Sequence, residues 1–479
     1  MYISRDVLLC DKKLFLQLAV ISCFFFYNQS FPGEELMHDV LNLRDLLGDE
    51  FTQRQEEGYD VSHLEAHIRQ ALYDGSDAEC DRLLTLLEKT AQKADWPYHE
   101  PTSDLEEILA ARPEEMKLSS LALREDELRD RLRGAWLGRC AGCNLGKPVE
   151  GWSRADIKRY LELAGAYPLT DYFPLLEPVP FGLQLNASWP ETTQGNIQFM
   201  ARDDDIDYTI LGLHILESYG FDFGPENVAR EWLTHFPFLS IYTAERAAYR
   251  NLIERRWPPQ SALHRNPYRE WIGAQIRADI WGYVSPGDPE RAARLAFQDA
   301  SLSHVKNGIY GEMWAAALMA ASFVAQDSRQ ALEAALGQVP RQSRLAEALH
   351  DVFALYDRGL DWEQARDEIE QRYYAKYSFV HTIQNAALVA MALLWGAGDY
   401  TRTIGLAVQG GWDTDCNGAT AGSAFGVLHG TRGLPGHWID PLHDFIRSSV
   451  SGYDNSRISD LAERTLPFAL ANTPASRKE

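Results

Sequence analysis

Basic residues are in short supply in this chain: 46 Lys and Arg stand against 69 Asp and Glu, a formal charge of −23. A surface of that sign repels phosphate backbones and anionic lipid, so neither nucleic acid nor a membrane is expected as a partner. Cysteine is scarce as well, six in 479 residues, which excludes a disulfide framework and fits a reducing cytoplasm. Cys140 and Cys143 form a CxxC, but no second CxxC and no His pair at ligand spacing accompanies it. Two thiols packed among small helix residues are expected there, in place of zinc or redox chemistry. Strand-like alternation is missing. So is any apolar run long enough to cross a bilayer comfortably: Leu14 to Tyr27 has fourteen residues.

That run follows Lys12-Lys13 as a secretory core would, yet it ends in Cys-Phe-Phe-Phe-Tyr-Asn-Gln instead of small residues, which argues against a cleavage site. Gly33-Glu34-Glu35 reverse-translates to a purine-rich string of the ribosome-binding kind, directly before Met37. Residues 1–36 are therefore expected to be an untranslated or disordered leader, with the true start at Met37.

What is present is helical periodicity. Residues 37–120 carry it with Val40, Leu41, Leu43, Leu46, Leu47 and then Leu83, Leu84, Leu86, Leu87. The same stretch holds twenty Asp/Glu against eight Lys/Arg, about half of the chain's charge imbalance, and is expected to form an acidic helical extension without a chemical motif. From about 125 to 479 the sequence is rich in alanine, glycine and apolar helix formers. Ile206, Ile210, Leu213, Leu216 and Met313, Trp314, Ala317, Leu318, Ala321 repeat at helical spacing, and Gln384 to Trp395 is apolar on nearly every side, as a central helix must be. The expectation is an all-α fold, with a long surface loop over 165–200 leading into the next feature.

That feature is Arg202-Asp203-Asp204-Asp205-Ile206-Asp207, four aspartates in five positions, matched far downstream by Gly410-Gly411-Trp412-Asp413-Thr414-Asp415. Adjacent carboxylates repel by about 1 kcal/mol per pair at 4 Å even in water, so a cation should neutralise them. Their hard oxygens suit Mg²⁺, Mn²⁺ or Ca²⁺. An acidic helix N-cap explains one or two of the aspartates, but not four. The Gly418-Ala419-Thr420-Ala421-Gly422-Ser423-Ala424 run after the second cluster reads as a small-residue helix able to pack tightly against another.

Taken in order, Arg131-Leu132-Arg133-Gly134-Ala135-Trp136-Leu137-Gly138, Gly146-Lys147-Pro148-Val149-Glu150, Asp204-Asp205-Ile206-Asp207-Tyr208-Thr209, Gly273-Ala274-Gln275-Ile276-Arg277, Ser303-His304 with Gly308 and Gly311, and Gly411-Trp412-Asp413-Thr414-Asp415 resemble the motifs of the ADP-ribosylglycohydrolase family over roughly residues 128–435. The resemblance implies a compact multi-helix domain over 125–479 and two Mg²⁺ ions, or Mn²⁺, at the base of a cleft. It implies hydrolysis of the ribosyl glycosidic bond of an ADP-ribosylated protein or small molecule. By position it makes Asp203, Asp204, Asp205, Asp413, Asp415 and Cys416 the expected metal set and Glu150, Asp204 and Asp413 the expected catalytic carboxyls. His304, Gly308, Tyr310, Gly411 and Trp412 are the expected substrate contacts.

The chain also departs from the family pattern. Asp203 stands where Thr is usual, Cys416 replaces a hydroxyl ligand, Trp412 a glycine, Ile206 a hydroxyl residue and Cys143 an aspartate. A metal site with altered ligands is expected, with Trp412, Trp281 and Tyr310 reshaping the pocket or stacking on a base. A smaller ribosyl or nucleoside-like substrate, or an inactive ADP-ribose-binding protein, is the alternative. Two mechanisms stay open: metal-assisted attack of a water deprotonated by an aspartate, or leaving-group protonation through an oxocarbenium-like state.

Overall fold

A computed structural model describes residues 39–113, 118 and 123–472; the expected leader, 1–36, lies outside them. Among the described residues there are twenty-two α-helices and one pair of two-residue strands, β1 (Phe445–Ile446) against β2 (Ser456–Arg457). The all-α expectation holds. Ten helices frame the site and its supports: α1 (Leu43–Glu56), α2 (Glu65–Asp74), α3 (Asp77–Leu87), α4 (Glu125–Gly146), α5 (Asp204–Tyr219), α6 (Pro225–His235), α7 (Asn307–Ser322), α8 (Arg344–Asp357), α9 (Thr382–Trp395) and α10 (Thr414–His429). Every residue of α7 and α9 is buried, so these two form the centre of the body. Residues 165–203 hold only two short helical turns, and that irregular stretch ends at the Asp203 cap of α5.

The small-residue helix foreseen over 418–424 is α10, and its partner is α4. Glycines recur every fourth residue on both, at 134, 138, 142 and 146 on one and 418, 422 and 426 on the other. The helices run antiparallel with their backbones in contact. A Cβ on Gly138 would sit 2.2 Å from the Gly422 carbonyl oxygen, one on Gly142 2.0 Å from that of Gly418, and one on Gly146 2.1 Å from that of Thr414. Because these obstacles are backbone atoms, no rotamer change relieves them, and only glycine fits.

Residues 40–113 pack within the same compact unit as 123–472. Val40, Leu46, Leu47, Ile68, Leu83 and Leu87 share one apolar cluster with Ala244, Ala247, Tyr268 and Trp271. The acidic charge of this stretch is partly spent on buried cations of the body. Arg269 donates to Glu50 and Glu57 at 2.6 Å each, and Arg344 donates to Glu100 at 2.9 Å and to Glu270 at 2.6 Å. Lys306 lies 3.3 Å from Glu57. Glu56 lies 3.9 Å from the His381 imidazole, and Arg344, which donates to the Glu56 carbonyl at 3.0 Å, offsets its burial only in part. Burial first, and then the Glu270 charge, push its carboxyl up to about 8.

Glu56 is thus held protonated in the folded chain well above its ordinary 4.5. Its contribution to stability is fully present below about pH 4.5, erodes as pH rises, and is lost above about 8, with a slope of up to about 1.4 kcal/mol per pH unit. Glu56→Gln, which stays neutral, should flatten that part of the stability curve. Urea unfolding of both proteins between pH 5 and 9 checks it.

Candidate active site

Asp203 takes an extended conformation and caps α5, its Oδ1 accepting the Asp205 N–H at 2.9 Å. Its second oxygen accepts from Lys147 Nζ. Lys147 follows α4 directly, so the end of that helix delivers both Cys143 and a partly buried cation to the aspartates. Lys147 outweighs burial and pulls the Asp203 carboxyl below its usual range. Asp205 is fixed from the other side by Arg139, a buried α4 residue that donates to the Asp205 carbonyl at 2.7 Å, to Asp279 at 2.9 Å and to the Thr209 hydroxyl at 2.9 Å.

The second group enters from α10. Asp413 is the residue before the helix and Asp415 lies in its first turn. Asn385 of α9 orients this end, its Oδ1 accepting from Asn417 Nδ2 at 2.7 Å and from the Asp413 N–H at 3.4 Å. The Thr414 hydroxyl donates to the Gly146 carbonyl at 2.7 Å, which closes the glycine seam at the site.

Two sets of ligand atoms result, Cys143/Asp203/Asp205 and Asp413/Asp415/Cys416, each with its members within 4.8 Å of one another. The two sets sense each other electrostatically. Burial first, then the Asp203 charge, raise Asp204 and Asp205, and Asp415 raises both further. Burial and Asp415 raise Asp413. Glu150 is exposed, its Oε2 accepting from Asn186 Nδ2 at 3.1 Å, and the Asp415 charge is the largest cause raising its carboxyl. Asp413 Oδ1 and Asp415 Oδ1 are buried and accept no hydrogen bond among the described residues. Buried carboxylate oxygens are rarely left so. Crowded, partly unsatisfied hard donors of this kind fit a divalent cation, while Cys143 and Cys416 add sulfur that Mg²⁺ does not favour.

An ADP-ribosylglycohydrolase family profile matches residues 124–475. The chain belongs to that family. Membership carries glycosyl hydrolase chemistry with it. An uncharacterized protein of Archaeoglobus fulgidus is 25% identical over 327 residues, which span 66% of this chain and 93% of that protein. A solved chain of an ADP-ribosylglycohydrolase-related protein complex is 19% identical and covers 72% of this chain and 99% of its own, at a TM-score of 0.42.

Of the residues expected from the sequence, Asp203 and Asp205 fall in one set and Asp413, Asp415 and Cys416 in the other, while Glu150 and Asp204 are near enough to feel the Asp415 charge. Three of the expected substrate contacts do not join them. His304 is wholly buried beside Ser303, with its Nε2 3.9 Å from Glu245. Gly308 is pressed against the Arg269 carbonyl, where a Cβ would meet oxygen at 2.4 Å. Tyr310 donates to the Pro101 carbonyl, among the buried charges under residues 40–113. Trp281 stacks on Phe223 at 4.7 Å and donates to Glu312 at 3.0 Å, both inside the core. Trp412 is at the site but is 3% exposed, and the Arg366 guanidinium covers its ring at 3.8 Å. Its φ of 66° explains why glycine suits the position. Gly411, at φ 76°, is required by packing: a Cβ there would lie 2.7 Å from Arg154 N.

Lys147, Arg139, Asn385 and Cys143 are site residues absent from the expected set. The spacing of Lys147 after the glycine series was the available signal for the first.

Because Asp413 is crowded by Asp415, Asp413→Asn should stabilise the metal-free protein by on the order of 1 kcal/mol at pH 8. The same change should remove most of the stabilisation that Mg²⁺ gives the unaltered chain. Urea unfolding with EDTA and with Mg²⁺ measures both effects.

Proposed function

We propose that this chain is a metal-dependent hydrolase that cleaves the ribosyl glycosidic bond of an ADP-ribosylated protein or small molecule. The observation that carries the reading is the pair of buried, unsatisfied oxygens on Asp413 and Asp415, set beside a second carboxylate group from α5. Asp204, Asp205, Asp413 and Asp415 are the residues that would hold Mg²⁺ or Mn²⁺, with Cys416 and Cys143 at the edges of the two sets. Bound there, such an ion supplies Lewis-acid polarisation of ribose hydroxyls and lowers the pKa of a water. Asp203 is committed to capping α5 and to Lys147, so its part is to fix the group and balance charge. Glu150, exposed and with its carboxyl raised by the Asp415 charge, is the candidate general acid toward the departing oxygen or nitrogen.

A smaller ribosyl glycoside is the second reading. Trp412 favours it, because a buried indole and its Arg366 partner fill space that a glycine leaves open.

A panel of ADP-ribosylated proteins, ADP-ribosylated small molecules and simple ribosides, assayed with Mg²⁺ and with EDTA, tests both. Turnover of the ADP-ribosyl compounds with Mg²⁺ alone is expected. Asp413→Asn should lower it by at least about 100-fold and Glu150→Gln should lower kcat by about 10²–10⁴-fold with little change in KM. Turnover confined to simple ribosides selects the second reading, and undiminished turnover in EDTA contradicts both.

A further inference from the structure

His214, Glu231 and His235 lie outside the carboxylate site and have no part in the chemistry above. His214 projects from the middle of α5, and Glu231 and His235 lie one turn apart on α6. Their ligand atoms all fall within 4.8 Å of one another. Both imidazole Nε2 atoms are aimed at the same carboxylate oxygen, Glu231 Oε2, at 2.9 Å from His214 and 3.2 Å from His235.

Each of the three is oriented from behind. The Tyr219 hydroxyl donates to Glu231 Oε1 at 2.6 Å, which leaves Oε2 facing the rings. His214 Nδ1 is 2.9 Å from the Tyr453 hydroxyl. His235 Nδ1 faces the Ser451 carbonyl oxygen at 3.4 Å. A carbonyl only accepts, so Nδ1 of His235 is the protonated nitrogen. Its Nε2 in the neutral ring is then a lone pair opposed to a carboxylate oxygen, a repulsive arrangement unless a second proton or a cation lies between them. Metal-ligating histidines have this form: one nitrogen is held by a carbonyl or hydroxyl and the other is presented to the ion.

We propose that His214, Glu231 and His235 form a transition-metal site, of the Zn²⁺ class, separate from the carboxylate centre. Two neutral imidazoles and one carboxylate suit Zn²⁺, and tetrahedral geometry with bonds of about 2.05 Å sets ligand atoms about 3.3 Å apart, close to the separations already present. The fourth position is left to water. Side-chain exposures of 19%, 11% and 25% give an ion access from solvent. The orienting groups of both histidines come from the segment holding Ser451 and Tyr453. That segment also holds Asp207, through the Ser448 hydroxyl at 2.6 Å and the Ser449 N–H at 3.0 Å. The bound ion therefore ties α5, α6 and this segment together and braces the helix whose N-terminus carries Asp204 and Asp205.

The full-length chain, with Mg²⁺ in excess to fill the oxygen site, is titrated with Zn²⁺ by calorimetry and separately loaded with Cu²⁺ for electron paramagnetic resonance. One Zn²⁺ should bind per chain. His214→Gln and His235→Gln should each weaken it at least about 100-fold, and Tyr453→Phe about 10-fold, whereas Asp413→Asn should leave it intact. The copper spectrum should show coupling to two nitrogens, which the carboxylate centre with its oxygen and sulfur donors cannot produce. This readout needs only the unaltered protein, so it stands even where a variant fails to fold. Zinc affinity unchanged in the His214→Gln/His235→Gln double variant, or a copper spectrum without two-nitrogen coupling, overturns the proposal.

Discussion

The backbone contact between α4 and α10 is the constraint on which the site depends. Glycines at every fourth position let the two helices touch along most of α10, and the register of that contact sets what meets at its end. Gly146 abuts the Thr414 carbonyl, so Cys143, Lys147 and Glu150 arrive beside Asp413, Asp415 and Cys416, although more than 260 residues separate them in sequence. Side chains of ordinary size would hold helices 8–10 Å apart and spread these groups. Close approach also explains how the carboxylates come to be so crowded: rigid backbone, not flexible side chains, holds them against their repulsion.

A second consequence concerns cost. Burial raises Asp204, Asp205, Asp413 and Asp415, the Asp203 charge adds to Asp204, Asp205 and Asp415, and the Asp415 charge adds to Asp204, Asp205 and Asp413, so ionising all of them together is costly. Lys147 and Arg139 relieve Asp203 and Asp205 in part. The Trp412 position shows the same trade in backbone terms. A left-handed conformation costs a non-glycine residue about 1–2 kcal/mol, and burial of the indole under Arg366 offsets it.

Much of this was legible in the sequence for local reasons. Helical period, the absence of strand alternation, an aspartate cap ahead of Ile206 and the small residues after Gly418 are properties of neighbours along the chain, and the structure shows each of them, with Asp203 as the cap. The partner of the glycine helix was also written there, at Gly134, Gly138, Gly142 and Gly146, but a four-residue glycine period does not say which other helix it faces. Residues 37–120 read as an acidic helical extension because helical period and net charge are what the stretch itself displays. Arg269, Lys306 and Arg344, the cations that absorb part of it, lie 150 residues or more downstream, and nothing local announces the pairing. His304, Gly308 and Tyr310 followed the motif order correctly yet point into packing and buried charge, since motif position fixes a backbone location and not where a side chain faces. Glu231 and His235 at helical spacing were visible, but His214 meets them only through the contact of α5 with α6.

The central claim is that the glycine seam assembles two carboxylate sets into one divalent-cation centre. A crystal structure of the full chain grown with Mn²⁺, read by anomalous scattering at the manganese edge, tests it directly. The account predicts manganese peaks between the α5 and α10 carboxylates, coordinated by Asp413 and Asp415. Saturating Mn²⁺ with no peak at those residues would contradict it.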